Sequence, residues 1–329
     1  MKNQNNDLVL VTAGDINYLW GVFLLVASIR KAGMDVPFLV GTKKFDDHAN
    51  RVVTQLGGVD LLPLDGDPRS LAWLKARAML QASAKWVAWA DCDAFFTGDV
   101  TGLLRPDSED LIHIRMRTPE ERTGLIWKKA VRGDDDRVVP PKVLEVWRRD
   151  VMAVAGGALE KPRFLSTAPS NFFALSLEKH RSFLEMFDRF QMEVLPDHDI
   201  GNHVRTLENY PLFDESVLNA CLAFAPDAPE VQPVYNLDKD FNRCFAHFPY
   251  HPKPWAGWTR RALAFFDEYV AVVDWAEKSG LELPGPVPRV LRPQFKRRVQ
   301  ALAPWTELKP KLKRRIDAAV KRFFGRERA

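Results

Sequence analysis

The chain has 329 residues, 46% of them hydrophobic, with a formal net charge of +4; that is enough apolar material for one large domain or two ordinary ones, and it excludes a disordered or fibrous protein. Three cysteines, Cys92, Cys221 and Cys244, are far apart and odd in number, which argues against a disulfide framework and for a reducing compartment; the lack of any Cys-x-x-Cys argues against a zinc module. The charge is uneven: residues 289–329 hold 14 Lys/Arg against 3 Asp/Glu, net +11, leaving 33 basic and 40 acidic residues, net −7, over residues 1–288.

Leu8-Val-Leu-Val-Thr12 reads as a buried first strand, and Ala13-Gly-Asp-Ile-Asn-Tyr18 as a loop leading into an apolar helix, Leu19 to Lys31. The run Leu19 to Ile29 is too short to span a bilayer, and Met1 to Asp7 lack a signal peptide's apolar segment, so a cytoplasmic location is expected. Pro37 to Val40 is the second strand, a polar helix follows around Asp46 to Leu56, and Leu61 to Leu64 is the third strand. A helix, Leu71 to Ser83, precedes the fourth strand, Trp86 to Ala90. Strands alternating with helical patterns predict an α/β fold with a Rossmann-like parallel sheet, and the absence of Gly-x-Gly-x-x-Gly disfavours ordinary dinucleotide binding.

The fourth strand runs into Asp91-Cys-Asp93. If the strand continues through them, carboxylates at i and i+2 leave one face and can converge on one cation. Asp-x-Asp occurs four more times, at Asp65/Asp67, Asp134/Asp136, Asp197/Asp199 and Asp238/Asp240, but only Asp91/Asp93 ends a buried-looking strand, where open α/β sheets bind ligands.

Leu111 to Ile114 is a further strand, and residues 117–165 read as an acceptor-side insert or lid with a helix at Lys142 to Val154. Asn171 to Ser176 is a strand, Leu177 to Met192 an amphipathic helix, and Asp214 to Phe224 a helix with Asp214 as its N-cap. Short strands at Val234 to Leu237 and Cys244 to Phe248 precede a long helix, Trp258 to Ser279. Residues 1–282 thus form the main domain and 283–293 a Pro-rich linker. Residues 294–329 form a basic tail, with Phe295, Val299, Leu302 and Ala303, then Leu312, Ile316, Ala319, Val320 and Phe323, at helical spacing. Such a helix either docks through its apolar stripe or lies in the headgroup layer of an anionic membrane, each basic residue adding about 1 kcal/mol. The number of like charges favours the membrane, on its inner face, over docking. It also outweighs nucleic-acid binding, since the charges share helices with apolar stripes and no nucleic-acid motif accompanies them.

Several segments together resemble the retaining glycosyltransferases of family 8, in particular the lipopolysaccharide galactosyl- and glucosyltransferases. The resemblance covers about residues 8–258 and is carried by Thr12-Ala-Gly-Asp-Ile-Asn-Tyr18, Lys75-Ala-Arg77, Asp91-Cys-Asp93, Asn171, Asp214-Glu-Ser-Val-Leu-Asn219 and His247-Phe-Pro-Tyr-His-Pro-Lys-Pro-Trp255. The last is the most specific, a His followed six residues later by Lys-Pro-Trp. The resemblance implies a GT-A fold, a nucleotide-sugar donor such as UDP-galactose or UDP-glucose, a divalent metal, Mn²⁺ or Mg²⁺, and a glycan or glycolipid acceptor.

Departure of a sugar diphosphate leaves charge on an oxygen, which positive groups must meet. On the resemblance, Asp91, Asp93 and His247 ligate the metal and Lys253 pairs with the leaving phosphate. Thr12, Asp15, Asn17 and Tyr18 line the base and ribose, Arg77 contacts donor or orients an aspartate, and Asn171 and Asp214 meet the sugar. Glu215 stands where the lipopolysaccharide-type members carry Gln, and it is open as a covalent nucleophile or as a stabiliser of an oxocarbenium ion. Tyr250 in place of Gly and Ser216 in place of Asp depart from the family pattern. The rivals are a GT-A transferase with another donor or an inverting course, and a non-catalytic membrane-surface protein on the same scaffold.

Overall fold

A computed structural model describes residues 7–67, 69–117, 139–194, 209–233, 244–249 and 251–305. Four parallel strands form its first half: β1 (Leu8–Asp15), β2 (Phe38–Lys43), β3 (Val59–Pro63) and β4 (Trp86–Ala90). Helices α1 (Leu19–Lys31), α2 (Asp47–Thr54) and α3 (Lys75–Met79) connect them. Next come β5 (Ala94–Phe96), β6 (Leu111–Ile114), α4 (Pro141–Ala155), β7 (Phe172–Ser176) and α5 (Leu177–Val194). The chain ends in α6 (Asp214–Phe224), β8 (Glu230–Pro233), β9 (Phe245–His247) and α7 (Phe266–Lys278). Seven strands form one mixed sheet in the order β3-β2-β1-β4-β7-β6-β8, with β7 antiparallel to both neighbours, while β5 and β9 form a separate antiparallel ribbon.

Strand β4 is buried throughout because helices cover both faces of the sheet, which is why it reads as an unbroken apolar run. Val87 and Trp89 face the core under α3, α4, α5 and α6, and Ala88 and Ala90 face the core under α1 and α7. The chain leaves β1 toward β2 and β3 on one side and returns to β4 on the other, so the carboxyl ends of β1 and β4 flank the point where strand order reverses. The ribbon is seated there by aromatic packing: Phe95 stacks on Phe248 at 5.7 Å and meets Tyr269 edge-on at 5.0 Å, contacts worth about 0.5–1.5 kcal/mol each beyond their area.

Some expectations need correction. The third strand runs from Val59 to Pro63. The segment from Leu71 is not one helix: a 3₁₀ turn, Leu71–Trp73, ends at Leu74 (φ −102°, ψ 5°) as Trp73 turns inward against Phe213 at 5.6 Å, and α3 is short. The long helix from Trp258 is likewise a 3₁₀ turn, Ala262–Phe265, followed by α7. Trp258 instead packs on Tyr269 and donates its Nε1–H to the Val290 carbonyl at 2.8 Å. Edge strand β8 carries no alternating pattern that would mark it in the sequence. The strand expected at Val234 to Leu237, residues 118–138 of the lid segment and the tail helix at 312–323 lie outside the described residues. The Pro-rich segment packs on the body: the Pro284 carbonyl lies 3.4 Å from His48 Nε2, the Val290 carbonyl accepts from Trp258, and Leu291 is buried. Residues 296–305 are helical, with Val299 and Ala303 buried and Leu302 and Trp305 exposed. No helix among the described residues is long and apolar enough to cross a membrane.

Candidate metal centre

The aspartate pair converges through a turn rather than through strand pleating, because β4 ends at Ala90. The Ala94 N–H donates to the Asp91 carbonyl at 3.0 Å, and the chain then enters β5. There Ala94 lies opposite His247, and the Phe248 N–H donates to the Asp93 carbonyl at 3.0 Å. The ribbon therefore carries His247 from a distant part of the chain to the pair. His247 Nε2 is 3.2 Å from Asp93 Oδ1 and 3.6 Å from Asp91 Oδ2. One ligand atom from each residue lies within 4.8 Å of the others, a hard-oxygen and imidazole set that fits a cation such as Mn²⁺ or Mg²⁺. Helix α1 presses on this turn at Gly21, where a Cβ would stand 2.4 Å from the Cys92 carbonyl and 2.7 Å from Trp255.

Charge is arranged on both sides of the pair. Lys253 Nζ donates to Asp93 Oδ2 at 2.5 Å and to the Phe248 carbonyl at 2.7 Å. Burial alone would raise the Asp93 carboxyl, but His247 and Lys253 outweigh it and hold Asp93 well below the usual carboxylate range. On the other side Lys75 Nζ bridges Asp91 Oδ1 at 2.8 Å and Asp214 Oδ2 at 2.9 Å, and donates to the Ser170 carbonyl at 3.0 Å. Burial would lower the Lys75 ammonium, yet Asp214 and Asp91 overcome it and raise Lys75 above the ordinary lysine range. Trp89, two residues before Asp91, donates its Nε1–H to Asp91 Oδ1 at 2.7 Å.

Asp214 is not the N-cap. That position is taken by Phe213 (φ 52°, ψ −120°), and Asp214 is the first residue of α6, its carboxylate receiving Lys75 and Ser170 Oγ, the latter at 2.7 Å. Glu215, next in the same turn, accepts from Arg117 Nη1 at 2.6 Å. Burial raises its carboxyl above the usual range despite the Arg117 charge.

At the end of β1, Asp15 accepts from the N–H groups of Asn17 and Tyr18 at 3.0 and 3.2 Å, which fixes that loop. Tyr18 meets Trp255 edge-on at 5.8 Å and lies 5.9 Å below Lys253 Nζ, so this loop adjoins the aspartate pair. Burial and Asp93 push the Tyr18 hydroxyl above its ordinary range. Asn171 adjoins the pair through its carbonyl, which accepts from the Asp91 N–H at 2.9 Å. Thr12 is enclosed in the core with its hydroxyl unpartnered. Arg77 is not brought in: it is half exposed and turns to Asp188 at 3.6 Å. The break at Leu74 gives Lys75 the inward position and leaves Arg77, two residues on, pointing away. The sequence reading gives the role to Arg77 and the structure gives it to Lys75, although a lysine between Leu74 and Ala76 beside an aspartate-bearing strand is itself a sign of a buried charge. Nothing in the sequence singles out Trp89, Ser170 or Arg117 as partners of these carboxylates.

Comparison with solved structures identifies the architecture. Over 87% of its length the chain matches the apo structure of WbbM, a bifunctional glycosyltransferase, with a TM-score of 0.54 and 12% identity, and it spans 53% of that longer chain. Over 84% of its length it matches the whole of the galactosyltransferase LgtC, solved with donor and acceptor sugar analogues, with a TM-score of 0.51 and 12% identity. No family model matches the chain, and no curated protein sequence matches it. The mixed sheet with its flanking helices is thus of the GT-A type.

Proposed function

We infer that the chain is a metal-dependent, retaining hexosyltransferase, similar to family 8, that uses a UDP-hexose such as UDP-galactose or UDP-glucose and a glycan or glycolipid acceptor such as a lipopolysaccharide core. The observation that carries this reading is the Asp91, Asp93 and His247 cluster with Lys253 on Asp93, set where strand order reverses in a GT-A-type sheet. A bound Mn²⁺ or Mg²⁺ would supply Lewis-acid charge to the diphosphate oxygens. Lys253 offers its ammonium to the leaving phosphate, and Asp15, Asn17 and Tyr18 receive base and ribose. Asn171, Asp214 and Glu215 face the hexose, with Lys75 fixing Asp91 and Asp214 in one geometry. The basic residues of 294–329 would hold the enzyme on an anionic membrane face where a lipid-linked acceptor is presented.

The test is turnover of a panel of UDP-hexoses with Mn²⁺, reading the anomeric configuration of the product by NMR. Transfer or slow hydrolysis with retention is expected. Metal-independent turnover or an inverted product contradicts the reading.

A further inference from the structure

Glu215 belongs to a second enclosed ion pair. Arg117 Nη1 donates both to Glu215 Oε1 at 2.6 Å and to Thr167 Oγ1 at 2.7 Å, and the two charged side chains are 17% and 15% exposed. The Arg117 backbone is fixed as well: its N–H donates to the Thr167 carbonyl at 2.9 Å, and its carbonyl accepts from Ser166 Oγ at 2.8 Å. Asn219 secures the other side, donating its Nδ2–H to the Glu215 carbonyl at 2.7 Å and to the Ala168 carbonyl at 2.8 Å. The Glu215 carboxylate is therefore clamped beside Asp214 and the Lys75 bridge. A carboxylate whose charge is shared with a guanidinium is a weaker nucleophile, and pulling it away would strand a buried cation.

We propose that Arg117 is a positioning residue that holds Glu215 as a fixed polar wall of the sugar pocket and keeps it out of covalent chemistry. The acceptor hydroxyl oxygen, not Glu215, then bonds to the anomeric carbon as the bond from that carbon to the diphosphate oxygen breaks, the departing oxygen keeping the electron pair and taking up the acceptor proton. This rests on the hexosyltransferase reading above. Without Arg117, Glu215 is released for a step that the wild type avoids. In its ionised form Glu215 bonds through a carboxylate oxygen to the anomeric carbon, the bond from that carbon to the diphosphate oxygen breaks, and the departing oxygen keeps the electron pair.

The experiment compares wild type, Arg117→Gln, Glu215→Gln and the double variant, each incubated with Mn²⁺ and UDP-glucose or UDP-galactose and read by intact mass, peptide mapping and steady-state kinetics. Arg117→Gln is expected to gain a hexosyl ester on the peptide carrying Glu215, which the double variant lacks, while the wild type carries none. Glu215→Gln is expected to lower kcat only about tenfold, with a raised KM. A hexosyl ester on wild-type Glu215 overturns the proposal. So does a loss of kcat beyond about a thousandfold in Glu215→Gln at unchanged KM, the loss a missing nucleophile gives. Turnover by Arg117→Gln without an ester overturns it as well. Should Arg117→Gln not fold, the Glu215→Gln kinetics decide alone. A wild type that binds no UDP and turns over neither donor sinks the hexosyltransferase reading itself, an outcome separable from failure of the Arg117 assignment.

Discussion

Lys75 holds two carboxylates that would otherwise repel each other, Asp91 at 2.8 Å and Asp214 at 2.9 Å, and it is nearly fully enclosed. Replacing it with Met leaves two uncompensated acidic groups in the interior, so Lys75→Met is expected to cost about 3–5 kcal/mol in urea unfolding at neutral pH. A loss under about 1 kcal/mol would mean that water already solvates the bridge. Gly21 acts sterically. A methyl group there meets the Cys92 carbonyl and the Trp255 ring, so Gly21→Ala is expected to lose about 1–3 kcal/mol of stability by thermal melting and to weaken Mn²⁺ binding by displacing the Asp91–Asp93 turn. Unchanged metal affinity would show that the turn is not braced by α1. The sequence made Asp91, Asp93, His247 and Lys253 legible because each sits in a short motif. Arg117 is hidden because its partner, Glu215, is 98 positions away, and half of the Lys75 bridge is hidden because Asp214 is 139 positions away.

Between elements, the loop after β3 is pinned to α5 by Arg69, which pairs with Asp67 at 2.7 Å and Asp188 at 2.6 Å while almost wholly buried. The Arg69 hydrogen bonds bring the Asp67 carboxyl down to about 2 from the usual carboxylate value. A depressed folded-state value means that Asp67 adds stability above about pH 4, and that the gain is lost as pH falls from about 4 to 2. Asp67→Asn should therefore cost about 2 kcal/mol at pH 7 and flatten the acid limb of the stability profile; parallel profiles for variant and wild type would refute the assignment. The parallel β-α units were legible because β1 and β2 open on apolar runs and β4 is apolar throughout, each set between helical patterns. The split before α3 was not, since Trp73 leaves the helical path to pack on Phe213, a contact 140 positions away. Strand β8 was illegible for a related reason: an edge strand beside β6 gets its order from its neighbour, not from its own pattern.

At the scale of the whole molecule, we propose that the tail proper begins after the described helix at residues 296–305. Residues 296–305 already belong to the body, since Val299 and Ala303 are buried and Lys296 pairs with Asp267 at 2.5 Å. Truncation after Trp305 is expected to abolish sedimentation with anionic vesicles, and truncation after Pro293, which also removes the buried Val299 and Ala303, is expected to cost about 1–3 kcal/mol as well. Equal vesicle binding by the Trp305 truncation and the full chain would remove the tail from membrane attachment. The central claim is that Asp91, Asp93 and His247 form a metal site that receives a nucleoside diphosphate. It is tested most directly by calorimetric titration of UDP into wild type and Asp93→Asn, with and without Mn²⁺. The account predicts UDP binding by the wild type only when Mn²⁺ is present, and its loss in Asp93→Asn; UDP binding that is indifferent to Mn²⁺ or to Asp93, or no binding at all, would contradict it.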